Sequence, residues 1–228
     1  MRLTKDDSNE NTVQNKLEVT MLPTIRGNKK RKKTITSYKY GNEIMIDFAV
    51  LDFNFSDIAK SFRCNNNSID KYIRNIASKD KSAVTYIAID KQYNKIIAIM
   101  TISCSGIYTT TTNILKYPLH KVISAIEIKN FAVDYNYQKM PYSESSSKYE
   151  TLSSVLFTKY IFDIKEIANK ICGAEKIILY SVPNAFNFYK NARFKKFQKY
   201  MNKDESSRLD GCIPMFFSLN QKINKKTM

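Results

Sequence analysis

Residues 122–134 read Val122-Ile-Ser-Ala-Ile-Glu-Ile-Lys-Asn-Phe-Ala-Val-Asp134. The density of apolar and β-branched side chains predicts a long strand over 122–133. A polar stretch, 134–149, follows with Pro141 and four serines. Within it Ser147-Lys-Tyr-Glu150 has the form of a capping box, and apolar residues at 152, 155, 156, 160, 161, 164, 167, 168 and 171 predict a helix over about 150–171. Gly173 ends that helix. Residues 176–182 form a continuous apolar run, the pattern of a strand covered on both faces. Pro183 then opens a short helix over 184–191, and strands are expected near 194–200 and 213–219.

Upstream, 44–53 reads as a strand, Ser56 offers a cap for a short helix, and Ser68 a cap for a second over 69–77. Segments 83–90 and 96–103 read as strands joined by Lys91-Gln-Tyr-Asn94 in a hairpin, with a Thr-rich loop after them at 108–113. The predicted order is βααβββαβαββ, an α/β fold (α+β in the sense of a mixed sheet with helices packed on it). Residues 1–34 lack a period and end in Lys29-Lys-Arg-Lys-Lys33, so a mobile basic arm is expected ahead of a single domain over 35–228. That run reads equally well as a solvated linker.

At 228 residues with 43% hydrophobic and 25% charged side chains, the chain is globular rather than disordered or fibrous. One histidine, His120, leaves no material for a histidine triad or a multi-histidine metal site, so no metal is expected. With five glycines so spaced, neither a Walker loop nor a GxGxxG fingerprint can be written. The four cysteines lack CxxC pairing and are read as reduced thiols, with Cys212 a packing thiol; no apolar leader or membrane span is found. A cytoplasmic protein that does not enter a membrane is expected. The net charge is +16, and residues 41–228 alone hold 27 basic against 17 acidic residues. Such a field attracts polyanions. Lysine outnumbers arginine 30 to 7, which is also what AT-rich coding produces.

Strand 122–133, helix 150–171 and strand–helix 176–191, ending in Asn184-Ala-Phe-Asn-Phe-Tyr-Lys-Asn-Ala-Arg-Phe194, together resemble the GNAT superfamily of acyl-CoA N-acyltransferases. Ala125-Ile-Glu-Ile-Lys-Asn-Phe-Ala-Val-Asp134 is similar to the family's fourth strand. Phe188-Tyr189 with Arg193-Phe194 is similar to its FYxxxGF element. Phe62-Arg-Cys-Asn-Asn-Asn-Ser-Ile-Asp70 resembles the first-helix region of family members from toxin–antitoxin operons. The resemblance spans about 43–219. It implies a fourth and fifth strand, 122–133 and 176–182, that splay apart around pantetheine, with a bulge near 129–131. It further implies acetyl-CoA as acyl donor, bound by Phe131, Ala132, Val133, Asn184 and Phe188, with the N–H groups of Phe131 and Val133 on the thioester. Glu127 would be the general base, because an ammonium must lose a proton before it attacks. Tyr189 would be the acid that protonates the departing thiolate.

Bland readings stand beside these roles. Glu127 could face solvent or pair with Lys129, Tyr189 could be a core aromatic, and Asn184 could be a helix cap. At the pyrophosphate loop the chain departs from the family: where the pattern has Gln/Arg-x-x-Gly-x-Gly/Ala, it has Gln138-Lys-Met-Pro141 and some eight to ten extra residues. Gln138, Lys139, serine hydroxyls from 143–147 and the helix-start amides are the substitutes at hand. The expected function is acetyl transfer to a primary amine, with aminoacyl-tRNA, a protein or a small molecule as acceptor. A homodimer and an antitoxin-like partner are compatible with it. The alternative is a noncatalytic module that binds nucleic acid or protein through the same fold.

Overall fold

The computed structural model describes residues 34–39, 42–112, 118–142, 151–197 and 211–219. Most of the expected basic arm, residues 1–33, lies outside them. Eight strands form one sheet in the order β1-β2-β3-β4-β5-β6-β8-β7. In chain order these are β1 (Thr34–Lys39), β2 (Asn42–Val50), β3 (Val84–Asp90), β4 (Lys95–Thr112), β5 (Pro118–Val133), β6 (Lys176–Ser181), β7 (Lys195–Lys196) and β8 (Ile213–Ser218). The helices are α1 (Ser56–Ser61), α2 (Asn67–Asn75), α3 (Leu152–Ile167) and α4 (Phe186–Asn191). Every neighbouring pair of strands is antiparallel except β5 and β6. The expected order is present, with β1 added in front.

Period-two alternation on β2 sends Ile44, Ile46 and Phe48 into the core under α3, where Leu152, Leu156, Phe157, Tyr160 and Ile164 meet them. The opposite face of the sheet buries Ile87, Ile89 and Ile99 against Ala59 and Phe62 from the α1 region and Ile73 of α2. The sheet is therefore covered on both faces.

Several boundaries differ from the sequence reading. Thr109 to Thr112 continue β4 instead of forming a loop, since β-branched threonine suits a pleated strand whose partner, β5, runs alongside as far as Pro118. Asn66, not Ser68, caps α2: its Oδ1 accepts from the N–H of Ser68 and of Ile69. Asp52 caps a 3-10 turn ahead of α1, and Ser56 is simply that helix's first residue. The α3 cap is Thr151; Ser147 to Glu150 lie outside the described residues. After α3 the chain widens into a π-turn over Ala168–Cys172 and stops at Gly173, whose φ of 63° is the left-handed conformation glycine adopts freely. Of the strand expected near 194–200, the described residues show Lys195–Lys196 and leave Phe194 and Phe197 outside it, while 198–200 lie outside the described residues.

Candidate functional site

β5 and β6 pair over four rungs only, Ala125 with Lys176 to Ile128 with Leu179. Beyond that rung β5 continues to Val133 and β6 to Ser181 without pairing, which leaves a wedge between them. At the same point β5 carries a bulge: Ile102 faces Ile128 and Thr101 faces Asn130, so Lys129 is the extra residue. Before it, the Ser124 carbonyl accepts from Glu175 N–H at 3.0 Å, so 124, 126 and 128 turn their main-chain groups to β6. After it, Asp134 N–H donates to the Ile97 carbonyl at 2.8 Å, so 130 and 132 turn theirs to β4. The N–H groups of Phe131 and Val133 therefore face the wedge. The same one-residue shift keeps the side chain of Val133 in the α3 core beside Ile126 and Ile128 and packs that of Phe131 against it.

Aromatic rings hold α4 over this opening. Phe188 stacks on Phe131 at 5.8 Å with an interplanar angle of 13°, and Phe157 of α3 contacts Phe131, Phe188 and Tyr189 at 4.9, 5.2 and 5.4 Å. Tyr189 also meets Phe194 at 6.2 Å. Burial pushes its phenol up to about 12, so the hydroxyl keeps its proton throughout the neutral range. Asn184 sits exposed in a 3-10 turn, Pro183–Ala185, without a side-chain capping bond.

Glu127 is half-buried on β5, one rung before the ladder ends, opposite Ser103 on one side and Ile178 on the other. Alternation puts it on the face of Ala125 and Ile178, across the sheet from Phe131. Ala132 turns its main chain to β4 and buries its side chain beneath α1 and α2, so it does not face the wedge.

The loop after β5 is organised by side chains the sequence reading did not single out. Asp134, buried, accepts from the N–H of Arg63 at 3.1 Å and of Asn136 at 3.1 Å, while Tyr135 N–H donates to the Arg63 carbonyl at 2.8 Å. Buried Asp70 accepts from Cys64 N–H at 2.8 Å. These bonds tie the α1–α2 connection to the end of β5. An aspartate closing an apolar strand ahead of Tyr-Asn was the available signal, since Asp folds such turns through its own carboxylate. The Cys64 thiol is pushed up to about 12, by burial first and by Asp70 beside it, which removes it as a thiolate nucleophile.

Gln138 is already engaged: its Nε2 donates to the Val133 carbonyl at 2.9 Å and to the Cys64 carbonyl at 3.3 Å. Lys139 is exposed at φ +58°, a left-handed position within the loop where the family pattern has glycine. Leu152 N–H donates to the Met140 carbonyl at 2.8 Å, and Pro141 bridges Thr151. Pro141 and Thr151 are thus neighbours in space, so that β5 still leads directly into α3 through Met140. The Thr151 hydroxyl accepts from Ser154 N–H at 3.3 Å, and serines 143, 145, 146 and 147 lie outside the described residues.

No protein-family profile matches the chain, and no curated protein does. Solved structures do. A bacterial toxin superposes with a TM-score of 0.58 over 77% of this chain and 92% of its own, at 21% identity. A tyrosine-to-phenylalanine mutant of the toxin AtaT, bound to the C-terminus of the antitoxin AtaR and acetyl-CoA, matches at 0.51 over 76% and 93%, with 13% identity. AtaT complexed with acetyl-methionyl-tRNAfMet matches at 0.51 over 76% and 94%, with 14% identity. The fold that the chain shares with these structures is the GNAT fold. Within that class the likeness runs to bacterial toxins, and at these identities what it shows is the shared fold. Among the described residues no helix is long and apolar enough to cross a membrane, and no cluster of His, Cys, Asp and Glu could hold a metal ion.

Proposed function

We propose that the chain is an N-acetyltransferase that moves the acetyl group of acetyl-CoA directly to a primary amine. The observation that carries this reading is the end of the β5–β6 ladder at Ile128, with the Lys129 bulge turning two main-chain donors into the gap. The N–H groups of Phe131 and Val133 hold the pantetheine arm and the thioester oxygen; donors fixed there stabilise the negative charge that grows on that oxygen as nitrogen attacks. Asn184, in the turn before α4, and Phe188 on α4 line the approach. Gln138 has a different duty from the one the resemblance implies, because its amide braces Val133. Lys139 remains as a cation beside the start of α3.

Glu127, on the opposite face of the sheet, takes the proton that the ammonium must shed, so the amine enters from the α1–α2 side. The amine nitrogen bonds to the acetyl carbon, the carbon–sulfur bond breaks, and sulfur leaves as a thiolate. A buried phenol near 12 donates a hydrogen bond to that sulfur readily, whereas full transfer to a thiolate whose ordinary pKa is about 8.5 runs uphill. Tyr189 therefore steadies the departing sulfur by a hydrogen bond; nitrogen sheds a second proton as the amide forms, one proton reaches the thiolate through solvent to give the CoA thiol, and the one taken by Glu127 is released to bulk water. The +16 chain and the tRNA complex of AtaT support the α-amine of an aminoacyl-tRNA as acceptor. AtaR supports a small protein partner of antitoxin type.

A second reading, a binding module without catalysis, draws on the loop that lacks glycine. Titration calorimetry with acetyl-CoA separates the two. The transferase binds it, and Tyr189→Phe, which removes a hydrogen-bond donor to the leaving sulfur, then lowers thiol release in the presence of aminoacylated tRNA by about 100-fold while leaving acetyl-CoA affinity in place. No heat and no thermal shift at millimolar acetyl-CoA would leave only the module.

A further inference from the structure

Helix α4 ends in a Schellman turn: Phe194 N–H donates to the Tyr189 carbonyl at 3.0 Å and Arg193 N–H to the Lys190 carbonyl at 3.0 Å. The residue at the bend is Arg193, at φ +68°. Glycine belongs there, because a side chain at positive φ crowds its own backbone, and the family element FYxxxGF has glycine at this place. Neither conformation nor composition favours arginine, which the chain uses only 7 times against 30 lysines. A long cation therefore sits where it strains the main chain.

Its surroundings give a reason. Lys190, Arg193, Lys195 and Lys196 are all exposed, and among the described residues none of them is paired with a carboxylate. Lys196 Nζ lies 4.7 Å over the ring of Phe186, so the cation of edge strand β7 folds back toward α4. Four cations thus fall within seven residues around one corner of the molecule: Lys190 on the helix that also carries Tyr189, Arg193 at its end, and Lys195 and Lys196 on the two faces of β7.

We propose that this α4–β7 corner is a docking surface for an RNA phosphate backbone, with Arg193 at its centre. In the reading above, the cation at hand for the phosphates of acetyl-CoA is Lys139, beside the point where β5 enters α3. β7 lies three strands beyond β5, roughly 14 Å away at ordinary strand spacing, which suits a longer polyanion. Among nucleic acids an aliphatic amine is found on aminoacylated RNA, and base amines are conjugated and weakly nucleophilic. The choice of RNA therefore rests on the acyl-transfer reading, while the corner's capacity for phosphate rests on its own geometry.

The test uses the full chain, with fluorescently labelled deacylated bulk tRNA as probe between 50 and 200 mM KCl, in parallel with acetyl-CoA calorimetry. Arg193→Gly restores the residue the turn prefers, so its unfolding midpoint should be unchanged or raised while tRNA affinity falls. The slope of log K against log salt should shrink by roughly 1 for each cation removed, and further in Lys195→Gln with Lys196→Gln. Unchanged tRNA affinity and slope in Arg193→Gly would overturn the proposal, as would a loss confined to acetyl-CoA affinity. Weakened tRNA binding in a chain that never binds acetyl-CoA would support the corner and reject the transferase.

Discussion

Gln138 shows how a residue can be legible in kind and misleading in role. Its place after the long strand, where the family pattern has Gln or Arg, suggested a phosphate ligand. The folded chain spends its amide on two main-chain carbonyls, Val133 and Cys64, that no strand satisfies. The Val133 carbonyl, in a part-buried bond, is costly when left without a donor, whereas water can replace the exposed bond to Cys64. Gln138→Ala is therefore expected to lower unfolding stability by about 1–2 kcal/mol, read as a shift of the urea midpoint at constant slope, and to loosen the contact between the α1–α2 connection and β5. Tyr189 was weighed as core aromatic or acid, and it has the surroundings of both: phenylalanine neighbours on three sides and a position over the wedge. Glu127 was readable as a carboxylate near the end of a paired strand, but not the side of the sheet it occupies.

Among the elements, α3 carries the core and also a buried ion pair, Lys159 with Asp163, one turn apart on the face that packs on the sheet. Lys159 Nζ lies 5.0 Å over the ring of Phe48 on β2. Removing one member strands the other charge in a dry environment, so Lys159→Met should cost about 3–5 kcal/mol by denaturant unfolding, more than methionine's packing returns. A cost below ~1 kcal/mol would mean that the pair is replaceable by apolar packing. The sequence revealed α3 through its apolar spacing. It did not reveal the ion pair, because a lysine four residues before an aspartate on a helix is ordinarily a solvated pair. The Lys129 bulge was anticipated from the resemblance alone; no local residue pattern marks it.

For the whole molecule, the tyrosines give the clearest pH signature. Tyr86, Tyr160 and Tyr189 are raised chiefly by burial, and Tyr72 and Tyr137 by burial with Asp80 and Asp90 as their hydrogen-bond partners. A phenol that holds its proton more tightly when folded contributes stability that is complete below the unfolded value near 10 and is lost as pH rises through the folded value. Unfolding stability should therefore fall from about pH 10 upward, across 10 to 12 for Tyr189, with phenolate absorbance appearing together with loss of structure. Tyr189→Phe should flatten part of that decline. Phenolate absorbance rising to completion in a still-folded chain near pH 10 would contradict the burial assigned to these rings.

By itself the sequence determined the succession of strands and helices, the exclusion of phosphate-loop and histidine chemistry, and the positive field, because each depends on residue type and spacing along the chain. It also supplied the GNAT likeness through the elements at 125–134 and 184–194. Only the tertiary structure decided where the β5–β6 ladder ends, which main-chain donors face the gap, that Pro141 meets Thr151 ahead of α3, and that Arg193 occupies a glycine's conformation. Those are matters of register and backbone angle, set by which strands meet and where one residue is inserted, and side-chain chemistry read in order does not encode them locally.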